Sequence, residues 1–229
     1  MSKAAVSYYP SYIERDAIRE IDPTISVKDI TAYVFDQFKE TIQEDFAKRE
    51  GLLFVGGFAH PPNADAVLWF ARDIYPLIRQ KMEEAGAAAP DFYVVGSKVT
   101  DEIRALEQPG NGIIIKGFVS EEELEQLYAE CRIVVVPLRY GAGVKGKVVE
   151  AIYNGAPIVT TSIGAEGIPQ VEDVLVVEDE PEQFAQAVAE LYQNEEACRE
   201  LCERTQRYIR EHFSMDAAWR VIEEDFCCR

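Results

Sequence analysis

Residues 133–167 read I-V-V-V-P-L-R-Y-G-A-G-V-K-G-K-V-V-E-A-I-Y-N-G-A-P-I-V-T-T-S-I-G-A-E-G. An apolar, β-branched run at Ile133–Val136 leads into a glycine-rich turn over 139–147. A short helical pattern follows, stops at Gly155 and gives way to a second apolar run at 157–160. Strand, turn, helix and strand in that order build a unit of a parallel sheet. A flexible, locally positive turn at the mouth of a helix is also where backbone N–H groups and the helix dipole hold a phosphate. The chain carries a formal net charge of −18, yet Arg139, Lys145 and Lys147 stand together with no acid until Glu150. That inversion of sign makes a phosphorylated ligand the first expectation.

The same alternation extends outward in both directions. Apolar runs recur at Leu52–Val55, Phe92–Val95, 113–115, Ile133–Val136, 157–160 and 174–177. They are short and nearly continuous in hydrophobicity, as strands covered on both faces are. Helical patterns lie between them. Asn63 is placed to cap one that runs through Val67, Phe70, Ile74 and Ile78. Ser120 with Glu123 forms a capping box, and Pro181 suits a first helical position. Such a chain predicts an α/β fold, a parallel sheet with helices on both faces. Ligands of these sheets bind beyond the carboxyl ends of the strands. The turns at 56–58, 96–98, 117–119 and 139–147 all fall on that edge.

The first fifty residues read differently. Strand-like runs at 6–9 and 25–27 flank a helical stretch at 14–20, one βαβ-sized piece, and a charged helix-like segment follows over 37–49. One such unit cannot bury both faces alone. It is expected to be an accessory to the main sheet or the tail of a domain whose remainder is missing.

Composition narrows the partners. The negative balance argues against nucleic acid, whose phosphates need a cationic surface. No apolar run is long enough to span a bilayer, and no charged-then-apolar leader is present, so a cytoplasmic location is expected. Cys131, Cys198, Cys202, Cys227 and Cys228 form no C-x-x-C pair and read as reduced thiols. Cys198 and Cys202 share a helix face, which leaves a metal site conceivable.

Residues 141–147, G-A-G-V-K-G-K, satisfy the G-x-x-x-x-G-K pattern between a strand and a helix. The next residue is Val148, where an ATP-binding loop places the Ser or Thr that holds magnesium, and no strand ends in the Asp that completes such a site. The ATPase reading falls, whereas phosphate binding needs only N–H groups and cations.

Taken as a series, L-L-F-V-G-G-F-A-H-P-P-N-A-D-A-V, F-Y-V-V-G-S, I-K-G-F-V-S-E-E-E-L and V-V-V-P-L-R-Y-G-A-G-V-K-G-K-V-V-E-A-I-Y-N-G-A-P-I-V-T-T-S-I-G-A-E-G resemble the C-terminal half of group 1 (family 4) glycosyltransferases. The first residues, including Y-P-S-Y-I-E-R, look like the last βαβ unit of that family's N-terminal domain. The resemblance implies a GT-B enzyme, with two Rossmann-like domains and a nucleotide-sugar donor on the C-terminal one. Residues 1–50 would be the remnant of the first domain plus linker, and 51–229 the donor domain. Transfer would retain the anomeric configuration and need no metal or other cofactor, and no Asp-x-Asp pair occurs in the sequence.

By position, the resemblance places Gly143, Val144, Lys145, Arg139 and Lys147 at the donor diphosphate. Glu150 falls on the ribose, where a carboxylate accepts from two adjacent hydroxyls. Gly117, Phe118 and Val119 form the loop beside the base, with Phe118 readable equally as a core aromatic. Three departures stand out. The family's Glu-x7-Glu motif puts its second acid at Glu150 and its first, eight residues earlier, at Ala142. Gly57 and Pro62 replace an Arg and a Lys that clasp the diphosphate, with His60 and Asn63 beside them; His60 reads as a phosphate contact or as part of the turn's packing. The resemblance also implies that most of the acceptor domain, with its catalytic histidine, lies outside these residues, and His212 has no motif around it. The alternatives are a non-catalytic nucleotide-binding scaffold and a sugar-nucleotide epimerase-like protein. Base, sugar, acceptor and oligomeric state are not legible.

Overall fold

The computed structural model describes residues 5–39 and 46–226. It begins with β1 (Ser7–Tyr9), α1 (Tyr12–Ile21) and β2 (Val27–Asp29). The main body follows as β3 (Leu52–Val55), α2 (Pro61–Trp69), a π-turn (Phe70–Ile74), α3 (Tyr75–Glu84), β4 (Phe92–Val95) and α4 (Asp101–Arg104). It continues as β5 (Ile113–Gly117), α5 (Glu121–Glu130), β6 (Ile133–Val136), α6 (Gly146–Tyr153), β7 (Ile158–Thr160) and α7 (Ser162–Ala165). β8 (Val176–Val177), α8 (Pro181–Gln193), α9 (Glu195–His212) and α10 (Met215–Phe226) complete it.

β3 to β8 form one sheet in the order β5-β4-β3-β6-β7-β8, every pairing parallel. β6, whose four residues are all buried, lies near its centre, as its unbroken β-branched run requires. Connections lead one way from β3 and the opposite way from β6. Right-handed crossovers running in opposite directions put their helices on opposite faces, so α2–α3 and α6 flank the sheet from two sides. α8 packs on α3, and α9 on α6. The fold is thus the expected doubly covered α/β sheet, with the strand order of a dinucleotide-binding domain.

β1 and β2 pair only with each other, so the first unit does not extend the main sheet. The last helix returns to hold it. Phe35 N–H donates to Phe213 O at 2.8 Å, Tyr8 Oη donates to Asp225 Oδ2 at 2.5 Å, and Lys28 pairs with Asp225 at 2.8 Å. Phe35 also stacks on Tyr153, with ring centroids 4.2 Å apart.

Several local expectations are corrected. The helix assigned to Asn63 starts earlier, at Pro61, because proline at the first positions pre-sets φ and has no N–H to satisfy. It is also interrupted by the π-turn. The second strand of the first unit lies at Val27–Asp29 rather than 25–27. β8 keeps only two residues, since Val174 and Leu175 N–H groups close a turn onto Val171 O. Within 37–49 the described residues contain one 3-10 turn, Phe46–Lys48, anchored by buried Phe46; residues 40–45 lie outside the described residues, as do Cys227 and Cys228. Ser120 Oγ accepts from Glu123 N–H as expected, and Pro181 opens α8. Cys198 and Cys202 face the core, and burial pushes both thiols up to about 12.

Candidate functional site

The reversal of strand order between β3 and β6 places a crevice at the carboxyl edge, between the turn after β3 and the turn after β6. Three hydroxyl and glycine contacts build the floor beneath the β6 turn. Thr160 Oγ1 donates to Val136 O at 2.8 Å, and Thr161 Oγ1 donates to Leu138 O. Gly164 lies so close that a Cβ there would stand 2.0 Å from Thr160 Oγ1.

The turn itself needs its glycines. Gly141 has φ +130 and packs against Pro62, whereas Gly143 has φ +76 with nothing near an imagined Cβ. α6 then starts at Gly146 with no side chain capping it. It ends in a Schellman motif: Gly155 N–H donates to Ile152 O and Ala156 N–H to Ala151 O. The helix is therefore short, and its N-terminus faces the crevice after β6.

The three cations of the turn have different surroundings. Lys147 Nζ crosses to the mouth of β3, donates to Asn63 Oδ1 and lies 4.6 Å from the centre of the Phe54 ring. A Cβ on Gly56 would be 2.8 Å from that nitrogen, so glycine there makes room for it. Burial first, then the charge of Lys145, push Lys147 down to about 8. Asn63, in turn, donates to Gly57 O at 2.7 Å. Lys147 thus occupies the mouth where Gly57 and Pro62 leave no cation of their own.

Lys145 folds back into its own turn. Its Nζ donates to Gly141 O at 3.2 Å, to Gly143 O at 2.5 Å and to Glu166 Oε2 at 3.0 Å. Arg139 is held by a two-pronged pair with Asp65 of α2, its guanidinium 5.3 Å from the Trp69 ring centre. Val144 packs against Gly167, whose imagined Cβ would stand 3.1 Å from Val144 Cγ2.

Glu150 stands three residues beyond Lys147, on the same face of α6. It is half-buried, and its carboxylate has no hydrogen bond or ion pair among the described residues. Burial raises its pKa. The buried Tyr128 Oη also lacks a partner among the described residues, and Glu150 adds to the upward push that burial gives that phenol. Across the edge, Gly117 has φ +68 and Val119 is half-buried, while Phe118 is 82% exposed. Phe118 is therefore a rim aromatic and not a core one. His60 precedes α2, exposed, and its side chain caps nothing.

A cleft of about 470 Å³ adjoins the turn. Pro10–Tyr12 and Asp29–Thr31, at the carboxyl ends of β1 and β2, line it together with Val144 and Gly167 of the main sheet's edge and residues at the junction of α9 and α10, His212 among them. The carboxyl edges of the two sheets therefore face one another. Sequence reasoning gave no role to Glu166, Asp65 or Tyr128. Glu166 stood in the quoted A-E-G turn, but its reach to Lys145 depends on two loops separated by 21 residues.

Residues 49–194 match the family described as Glycosyl transferases group 1. A curated relative, an uncharacterized 44.6 kDa protein in the cps region of Klebsiella pneumoniae, is 27% identical over 179 residues, 75% of this chain and 44% of its own length. Among solved structures, a TarM mutant from S. aureus in complex with UDP superposes with a TM-score of 0.72 at 16% identity, over 93% of this chain and 42% of that one. Anabaena HepE in complex with UDP and glucose gives 0.68 at 15% identity, over 99% and 64%. Sucrose-phosphate synthase from Thermosynechococcus elongatus gives 0.66 at 16%, over 98% and 58%. This chain spans less than half the length of the curated relative, and the structural likenesses establish a shared GT-B fold. With the family match covering more than half of its residues, β6 and its turn among them, the chain belongs to the group 1 glycosyltransferases.

Proposed function

We propose that this chain binds a nucleotide-sugar, as the donor-binding half of a retaining, metal-independent glycosyltransferase. Residues 51–229 would hold the donor, and residues 1–50 would be the end of an N-terminal domain that carries the acceptor. The short span of the chain against its relatives supports that division. On this reading residues 1–229 by themselves would bind donor and transfer no sugar. Cytoplasmic location belongs to the same reading, in keeping with the buried thiols Cys131, Cys198 and Cys202.

The observation that carries the proposal is Glu150, a half-buried carboxylate unpaired among the described residues, one turn beyond a half-buried lysine at the start of a helix. Leaving it without a hydrogen-bond donor is costly, and two ribose hydroxyls would satisfy it. In this arrangement Lys147, Lys145 and the N-terminus of α6 take the diphosphate, whose charge grows as the bond to the sugar breaks. Those cations do the work a metal would otherwise do. Phe118 offers a face for the base, and Gly117 and Val119 shape its loop. Gly57 and His60 border the phosphate side. Ala142, exposed at the turn, favours one other reading, a domain that binds nucleotide without transfer.

The test is a titration of wild type and Glu150→Gln with UDP, GDP and ADP, and with inorganic pyrophosphate. UDP comes first, since it occupies similar folds. Loss of the carboxylate should weaken the preferred nucleoside diphosphate by about tenfold or more, the worth of one charged hydrogen bond, and leave pyrophosphate unweakened. Equal loss for both probes would remove Glu150 from the ribose, and no binding by wild type at millimolar nucleotide would sink the donor-site reading. Restoring the acceptor domain and finding transfer would separate enzyme from nucleotide-binding scaffold.

A further inference from the structure

Lys145 has three N–H donors, and all three are engaged within the chain, by two carbonyls of its own turn and by Glu166. The pair is well covered, with Lys145 side chain 10% and Glu166 31% exposed. An ammonium in this state has no donor left for a phosphate. The two carbonyls belong to the turn that carries Lys145, so they move with it. Glu166 belongs to a different loop and is the partner that can be exchanged.

The backbone around Glu166 is pinned. Gly164 N–H donates to Thr161 Oγ1 at 3.2 Å, which fixes the start of α7. Gly167, at φ +76, lies closely against both Ser11 and Val144. With the backbone fixed, rotation of the partly exposed Glu166 side chain toward solvent is enough to release Lys145. Rotations of that kind take picoseconds to nanoseconds, so they do not limit the rate of ligand entry.

We infer that Glu166 acts as an internal stand-in for phosphate, holding Lys145 until a diphosphate displaces it, and so sets the affinity of the cradle. This rests on reading the turn as a diphosphate site. The consequence is a selectivity for charge. A ligand must bring enough negative charge to outcompete a carboxylate already in contact, so weak anions are excluded and a diphosphate is admitted. Once displaced, the carboxylate remains near the cradle and its repulsion favours release of the product diphosphate.

The experiment is a calorimetric titration of wild type, Glu166→Gln and Glu166→Asp with inorganic pyrophosphate, UDP, GDP and ADP, with uridine as an uncharged control. Thermal unfolding is recorded for each variant. Glu166→Gln should bind pyrophosphate and the preferred nucleotide about three- to tenfold tighter, and uridine unchanged. Glu166→Asp is too short to reach Lys145 and should show a smaller gain in the same direction. It also carries the test should the glutamine variant fail to fold. A gain is informative because structural damage does not tighten binding. If wild type binds a nucleoside diphosphate and both variants bind no tighter, the role of Glu166 is overturned while the donor site stands. Failure of every protein to bind any of these probes overturns both.

Discussion

Lys147→Met should raise the melting temperature by a few degrees while weakening diphosphate binding about a hundredfold. Both effects come from one geometry. The ammonium of Lys147 is taken out of water between Phe54, Gly56 and Asn63, and its pKa is pushed from 10.5 down to about 8. A displacement of that size corresponds to roughly 3 kcal/mol of destabilisation of the charged form. Methionine has a similar length and no charge to desolvate. Asn63 Oδ1 loses its donor, which costs about 1 kcal/mol, so a net gain in stability remains.

The pH dependence of both quantities follows with definite sign. Lysine in the unfolded chain titrates near 10.5, above the folded value of about 8, so the folded state gives up its proton first as pH rises. The destabilisation is complete below about pH 8 and fades between there and 10.5, and the advantage of the methionine variant should fade with it. A bound diphosphate stabilises the ammonium and raises its pKa. Wild-type affinity should therefore fall as pH climbs through 8, approaching tenfold per unit, and Lys147→Met should show no such limb. Calorimetry between pH 6.5 and 9.5 reads the effect. An alkaline limb that persists in the variant would assign it to another group.

Gly96→Ala carries the largest expected loss of stability, about 4 kcal/mol, seen as a melting temperature lower by roughly 10 °C. Gly96 has φ +153, and a Cβ there would stand 1.9 Å from Gly56 O and 2.7 Å from its carbonyl carbon. Both obstacles are backbone, so no rotamer relieves them. β3 and β4 would have to separate at the rim, and Gly56, which makes room for Lys147, would move with them. Nucleotide binding should suffer beyond what the lost stability explains. Gly143→Ala is the matching control, since its φ is +76 but its Cβ would touch nothing. It should cost only about 1 kcal/mol, the penalty for a left-handed alanine.

Most of the sheet was legible because buried parallel strands declare themselves as unbroken β-branched runs. Five of the six runs gave strands with nearly the expected limits; the sixth shrank because two of its residues close a turn. The helix after β3 starts ahead of Asn63 because two prolines outweigh one asparagine as a start signal. Asn63 then serves Gly57 and Lys147, contacts made across the crevice and invisible to local pattern.

The candidate site divides in the same way. Sequence by itself determined that a glycine-rich, cationic turn opens α6 beyond a central strand, with Glu150 one turn inside it, because these are neighbours along the chain. It also marked Gly117 to Val119 as a rim loop. Only the tertiary structure decided what each charge does. Lys147 spans from the β6 turn to the β3 turn, Lys145 is claimed by Glu166, and Arg139 is claimed by Asp65. The three cations look alike in a string of letters. Their pairing and desolvation depend on which loops the strand order brings together, and that is set by packing of the whole sheet.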